Sequence, residues 1–452
     1  MKNRKASFEY IALIIGADES QRNLTWYSNA EKDSAVQVVL TSDMADGCFP
    51  LSGAAEFRAK KNVSTITGWN IFETTITGLK PSNKYVYRMG NDEEGWSKMY
   101  SFATQRPGDF SFLFAGDPQI ATARNEAQWT HALNKAISEF PNTCFLLMPG
   151  DHVDTPTDKT VMEQEYKRFF SPEILRSLPM ATTRGNHEMT MGDAAAFDPH
   201  REHFNNQPNL SLNPNGAPFG EQYWYTYNGV LFISLDFGSI YVQTNRPAYY
   251  ASAKAFMAEV IAQNQDAKWT VVFTHYSLFA SGTSYAAQQT ITSDMAPVFS
   301  ELEVDVVLTG HDHFYTRTYM MQGTVPITTP EYYSSFNSGI PSGVTNPQRG
   351  QVLYVTANTS SGVKHYDPHE IKKPWAAVSH SKGKADNSIK TADISHVKIT
   401  DTSFKITTYS ANYTDNTYTE NGVIENWNVI DEFEISRQTE DFNYRICSKK
   451  NI

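Results

Sequence analysis

Five short polar clusters of this 452-residue chain hold residues that could bind cations or move protons. The clusters are Gly116-Asp117-Pro118-Gln119, Gly150-Asp151-His152-Val153-Asp154, Gly185-Asn186-His187-Glu188, Thr274-His275 and Gly310-His311-Asp312-His313. Asp117 and Asp151 offer charged hard oxygens, Asn186 a neutral amide oxygen, and His275, His311 and His313 imidazoles. Such a mixed oxygen and nitrogen set without thiolate suits Mn, Fe or Zn rather than Ca or a Cys-rich structural zinc site. A carboxylate shared by two cations would hold them roughly 3.5–4 Å apart, the separation used in two-metal hydrolysis. Any one cluster alone reads as a turn. Their joint occurrence is what points to a metal site.

At least four clusters directly follow an apolar, strand-like run, and side chains at the carboxyl ends of strands in an open α/β sheet converge on one crevice. Phe110-Ser-Phe-Leu-Phe-Ala, Thr143-Cys-Phe-Leu-Leu-Met, Pro179 to Thr183, Val230-Leu-Phe-Ile-Ser-Leu, Trp269-Thr-Val-Val-Phe and Val304-Asp-Val-Val-Leu read as buried strands. Between them, helical spacing marks Asn125 to Phe140 (Trp129, Leu133, Ala136, Ile137, Phe140), Val161 to Leu175 and Ala248 to Gln265. This alternation predicts a layered α/β domain. Val352-Leu-Tyr-Val-Thr, His396-Val-Lys-Ile, Phe404 to Tyr409 and Val429 to Ile435 predict further strands that complete a second sheet, and Lys364 to Lys390 reads as a long loop.

Residues from about 7 to 105 differ in kind. Short runs such as Asn23-Leu-Thr-Trp-Tyr, Ala35 to Leu40, Thr74 to Thr77 and Lys84-Tyr-Val-Tyr-Arg alternate with Gly, Asn, Asp and Pro clusters, which predicts a seven-stranded immunoglobulin-like sandwich. Gln105-Arg-Pro-Gly-Asp follows as a linker. The length favours two domains. A formal charge of −11 argues against general affinity for nucleic acid or anionic membrane. Cys48, Cys144 and Cys447 are far apart and form no zinc-finger spacing; Cys144 reads as a buried thiol, and a Cys48 to Cys447 disulfide has no support from spacing. The apolar run Ile11 to Ile15 is too short to span a bilayer, and it lacks the core and cleavage site of a signal peptide.

The set Asp117, Gly150-Asp151, Gly185-Asn186-His187-Glu188, His275 and Gly310-His311-x-His313 resembles the calcineurin-like metallophosphoesterase superfamily. Gly78-Leu-Lys-Pro-x-x-x-Tyr-x-Tyr-Arg88 and Trp96-Ser-x-x-Tyr-x-Phe102 ahead of it resemble the fibronectin type III-like domain of purple acid phosphatases. The resemblance implies an α/β (α+β) chain: an N-terminal all-β immunoglobulin/fibronectin-like sandwich over 1–106, then a four-layer α/β/β/α catalytic domain over 107–452. It implies two divalent or trivalent ions (Fe, Zn or Mn), with Asp151 as the bridge. Asp117 and His313 would bind the first ion, and Asn186, His275 and His311 the second. His187 matches the substrate-facing histidine that protonates the leaving oxygen; an imidazole of pKa about 6.5 suits that role. The implied reaction is hydrolysis of a small phosphate ester by a hydroxide that the metals generate, a monoester on the strength of the domain order. A diesterase on the same site, or a surface-binding protein with a weak metal site, are the alternatives. The resemblance also implies an exported or cell-envelope protein.

The chain departs from the pattern twice. Asp154 stands where purple acid phosphatases have a tyrosine ligand, and Gln119 where many superfamily members have a histidine. Gln119 can coordinate through its carbonyl oxygen. Asp154 either orients a ligand histidine or serves as a turn residue of the N-cap kind. Around the motifs, His152 reads as pocket-lining or surface, and Arg184, Tyr276 and Tyr315 as substrate contacts or packing. His365, His369 and His380 read as parts of a solvated loop.

Overall fold

In a computed structural model the described residues are 5–44, 47–50, 52–188, 199–204, 207–210, 222–237, 246–362, 364–370, 373–380, 389–414 and 427–438. Cys447 lies outside them. Cys48 and Cys144 are free thiols, exposed and buried respectively.

Among the described residues up to Ala103 there are nine strands rather than the expected seven; Ala55–Arg58, Lys60–Val63 and the short Gly95–Trp96 are ones that the sequence does not announce. Phe8–Ile15, Arg22–Ser28, Asn70–Ile76 and Lys60–Val63 pair antiparallel in that order. Ala35–Leu40 and Lys84–Asn91 pair with each other and with the remaining strands in a second sheet. Alternate side chains of both sheets (Leu13, Leu24, Trp26, Val36, Val38, Phe72, Tyr87, Phe102) meet in one core, with Trp26 stacked on Phe72 at 5.5 Å.

The following α/β domain has two sheets, and period-2 alternation decides what each covers. In Phe110–Phe114, Phe112 and Phe114 face one way, against Phe232, Phe273, Leu308 and Val355 of the second sheet. Leu113 faces the other way, against Trp129 and Leu133 of helix Ala123–Glu139 and Met162, Tyr166 and Phe169 of helix Lys159–Phe169. In the second sheet Val272 and Val307 likewise face Met257 of helix Arg246–Gln263 and Met295 and Phe299 of helix Tyr285–Glu301. The parallel strands Phe110–Phe114, Leu146–Met148 and Met180–Thr182 form the centre of the first sheet. The parallel strands Val230–Leu235, Trp269–Thr274, Val306–Thr309 and Gln351–Thr356 form that of the second. Ile389–Ile399, Ser403–Thr414 and Trp427–Ser436 extend the first sheet, not the second as the sequence order suggested, with Ile389–Ile399 lying antiparallel to Phe110–Phe114.

Two features correct the linear reading. Strand Phe8–Ile15 continues the first sheet of the α/β domain, pairing Ile14 with Met180, so twelve strands among the described residues run on across the expected linker. Across the same seam Tyr10 and Tyr27 pack on His203, and the Tyr87 hydroxyl donates to the Arg176 carbonyl. The stretch expected as one long loop from Lys364 holds strand Ala376–His380, which pairs with Tyr315–Thr318. His380 is therefore a strand residue. His365 is buried, within 3.5 Å of the Asn358 amide and the Thr391 N–H.

Candidate metal centre

Each candidate ligand lies just past the carboxyl end of a parallel strand. Asp117 follows Phe110–Phe114, Asp151 follows Leu146–Met148, and Asn186 and His187 follow Met180–Thr182. His275 follows Trp269–Thr274 in the second sheet, and His311 and His313 follow Val306–Thr309. The strands run parallel, so these ends share an edge in each sheet, and the two edges meet over one crevice. The turns that reverse the chain there are strained. Asp117, Gln119, Asp151, His311 and His313 all have positive φ, five of the twelve non-glycine cases among the described residues. Such strain costs of order 1–3 kcal/mol per residue and gathers at functional sites. The motif glycines have a separate cause. A Cβ on Gly185 would strike Asp151, and one on Gly310 would strike the Asp117 carboxylate.

Two triads of donor atoms result, Asp151, His275, His311 and Asp117, Asp151, His313, each with its atoms within 4.8 Å of one another. Asp151 is common to both. His275 Nε2 stands 3.2 Å from Asp151 Oδ1 and 3.0 Å from Asn186 Oδ1. His311 Nδ1 stands 2.9 Å from the same amide oxygen. His313 Nε2 is 3.8 Å from Asp117 Oδ1. Gln119 Nε2 donates to Asp151 Oδ2 at 2.9 Å.

The tautomers are set from behind. His275 Nδ1 donates to the Pro149 carbonyl at 2.7 Å and His313 Nδ1 to the Lys364 carbonyl at 2.9 Å, which leaves both Nε2 atoms facing the carboxylates. Electrostatics follow from burial and crowding. Burial raises Asp117 well above the usual carboxylate range, and Asp151 and Glu188 add to it against His275. Burial would lower His275, but Asp151, with Asp117 and Glu188, carries it up to about 9. Burial and the Lys364 charge push His313 down to about 3, so its ring is neutral and able to ligate. Gln119 Oε1 and His313 Nε2 are buried without a hydrogen-bond partner. Unpartnered buried donors and acceptors are costly. A neutral, oriented His313 ring, a His275 ring drawn toward buried carboxylates and orphaned buried lone pairs are the fit expected for cations.

His187 sits at the edge. Its N–H donates to Asp151 Oδ1 at 2.9 Å, its Nδ1 donates to the Asp154 carbonyl, and its Nε2 lies 3.9 Å from Asp151 Oδ2. Asp154 thus orients the His187 ring through its backbone. It caps no helix: Asp158 does, accepting from Thr160 and Val161. His152 is fully buried against Phe169 and Phe204, away from any surface. Arg184 pairs with buried Asp236 at 2.9 Å, and the Tyr315 hydroxyl donates to Asp431, so both are structural. Tyr276 packs edge-on against His311 at 4.4 Å.

Two carboxylates without an assigned role hold the loops. Buried Glu188 accepts from the backbone N–H groups of Asp151 (2.8 Å), His152 (2.6 Å) and Gly185 (2.6 Å). Asp312 accepts from those of Ser281 (2.8 Å) and Gly282 (2.6 Å), and burial raises it to about 6. Their place inside the motifs was the available signal; what they hold was not readable from it.

Residues 110–315 match the family model of calcineurin-like phosphoesterases, and residues 9–104 that of the purple acid phosphatase N-terminal domain. The chain belongs to the calcineurin-like metallophosphoesterase superfamily. Its catalytic domain is of the purple acid phosphatase kind, behind a distinct N-terminal domain. Purple acid phosphatase 18 of Arabidopsis thaliana is 24% identical over 318 residues, covering 69% of this chain and 66% of its own. Purple acid phosphatase 1 of Ipomoea batatas is 24% identical over 317 residues, covering 65% and 61%. The chain spans about half to two thirds of the length of such relatives. A purple acid phosphatase from yellow lupin (Lupinus luteus) seeds superposes with a TM-score of 0.66 at 15% identity, covering 97% of this chain and 76% of the other; it shares the fold.

Proposed function

We propose that the chain is a dinuclear metal-dependent hydrolase of small phosphate esters, a phosphomonoesterase before a diesterase. The observation that carries this reading is the sharing of Asp151 between two buried donor triads. The N-terminal match to purple acid phosphatases supports the monoester preference and an exported or cell-envelope setting. It also supports a division into a fibronectin-type sandwich over 1–106 and a catalytic domain over 107–452. The opposite-facing core clusters support a four-layer α/β/β/α arrangement of the latter. No described helix is long and apolar enough to cross a membrane.

Asp117, Gln119, Asp151 and His313 would hold one ion, and Asp151, Asn186, His275 and His311 the other. Two ions so bound supply Lewis acidity, lowering the pKa of water and neutralising charge on phosphoryl oxygens. The protein's own part is orientation and proton transfer. Glu188 and Asp312 fix the backbone turns that carry the ligands. The Nδ1 of His187 is committed to the Asp154 carbonyl, so Nε2 is the atom that hands a proton to the leaving oxygen. Its side chain is 16% exposed, enough to regain that proton from solvent. The products are the alcohol and inorganic phosphate.

The test is turnover of p-nitrophenyl phosphate against bis-p-nitrophenyl phosphate after loading with Mn, Zn or Fe, with metal analysis of the same sample. Hydrolysis of the monoester at about two ions per chain is expected. Two bound ions with neither ester cleaved would refute the reading.

A further inference from the structure

Beyond the ligands and His187, one wall of the centre comes from the segment after strand Gln351–Thr356, which carries Lys364 and Tyr366. The Lys364 carbonyl receives the His313 Nδ1 proton, and the Tyr366 N–H donates to the His313 carbonyl at 3.3 Å. Three residues on, the His369 N–H donates to the Ser281 carbonyl, and Ser281 is itself held by Asp312. The segment is therefore tied at both ends to the metal-binding turns. Its side chains are set accordingly. The Tyr366 ring lies 4.9 Å from the His313 ring. The Lys364 ammonium stands 5.6 Å from the centre of the Tyr366 ring. Both side chains are half-buried.

A phenol beside His313, with an ammonium next to it, offers a donor and a positive charge to a site whose candidate ligands include two carboxylates. Those are the two groups that a phosphoryl oxygen needs once cations have neutralised the carboxylates. We propose that Tyr366 and Lys364 are substrate-positioning residues: the Tyr366 hydroxyl donates to a non-bridging phosphoryl oxygen and the Lys364 ammonium offsets the remaining charge of a monoester dianion. This rests on the phosphoesterase reading and deepens it, since a monoester dianion has more negative charge to offset than a diester monoanion. It also separates Tyr366 from the family's tyrosine ligand, whose position Asp154 occupies.

The experiment compares wild type, Tyr366→Phe and Lys364→Met, all loaded with Mn. It measures kcat and KM on p-nitrophenyl phosphate, binding of inorganic phosphate by calorimetry, and metal content. Losing one hydrogen bond to a charged oxygen predicts about a ten- to hundredfold rise in both KM and the phosphate Kd for Tyr366→Phe. The rise should be smaller for Lys364→Met, with kcat within about threefold and two ions retained in both. KM and phosphate Kd within twofold of wild type would overturn the proposal, as would loss of an ion from Tyr366→Phe, which would make the phenol a ligand. If wild type binds phosphate but turns over no ester, the proposed function fails while the calorimetry still decides the role of Tyr366. If wild type does not bind phosphate, both fall.

Discussion

Replacing Glu188 by Gln tests whether the bridging aspartate is held by a buried carboxylate. One Glu188 oxygen accepts from the N–H groups of Asp151 and Gly185 at 2.8 and 2.6 Å; the other accepts from that of His152 at 2.6 Å and, more weakly, that of Val153 at 3.4 Å. A glutamine of the same shape has one acceptor oxygen and turns its NH2 toward the other set of donors. At its best it keeps the Asp151 and Gly185 bonds and leaves the His152 N–H facing another N–H. An orphaned buried donor costs about 1–3 kcal/mol, and loss of charge assistance in the two surviving bonds adds about 1–2 kcal/mol. The sum is about 2–5 kcal/mol. Because the disturbed turn carries Asp151, metal affinity should fall about 10–100-fold, as expected when a group supporting a ligand is lost. Urea unfolding of the metal-free protein reads the first number from the shift in midpoint at constant slope, and Mn titration reads the second. A destabilisation below about 1 kcal/mol together with unchanged Mn affinity would refute the claim that Glu188 holds this turn.

Other outcomes follow from the same geometry. His187→Gln should lower kcat by about 10²–10⁴-fold at unchanged metal content, and by less for a p-nitrophenyl than for an alkyl leaving group, since the former needs little protonation; equal losses on both esters would count against the acid role. The iron-loaded protein should be colourless, because Asp154 replaces the tyrosine ligand; a visible absorption spectrum with a tyrosinate–iron band would contradict this. His396, stacked on Phe140 at 4.0 Å, is pushed down to about 4 from 6.5 by burial, with the Lys398 charge adding. Between those values the unfolded chain binds a proton that the folded chain does not, so stability is lost as pH falls through that window. After discounting for partial exposure the effect is about 1–2 kcal/mol. His396→Phe should remove it, seen as a flatter dependence of the unfolding midpoint on pH between 4 and 6.5; an unchanged slope would refute it.

The candidate metal ligands were legible because each depends on a local event. A buried strand ends, the chain turns (through positive φ at Asp117, Asp151, His311 and His313), and a polar side chain is left at the sheet edge. Apolar runs and short motifs record all of that, so Asp117, Asp151, Asn186, His275, His311 and His313 could be named from order alone. Other features depend on which segments meet across long stretches of chain. Glu188 is a motif letter until the fold brings the N–H groups of Asp151 and His152 to it. Tyr366 looks like part of a solvated loop until the His313 and Ser281 carbonyls pin its segment beside the centre. Nothing in the first hundred residues announces that Ile14 will pair with Met180 and join the two sheets. Backbone pairing uses groups common to every residue, so the sequence determined which side chains were available for chemistry, and tertiary packing alone decided which neighbours hold them in place.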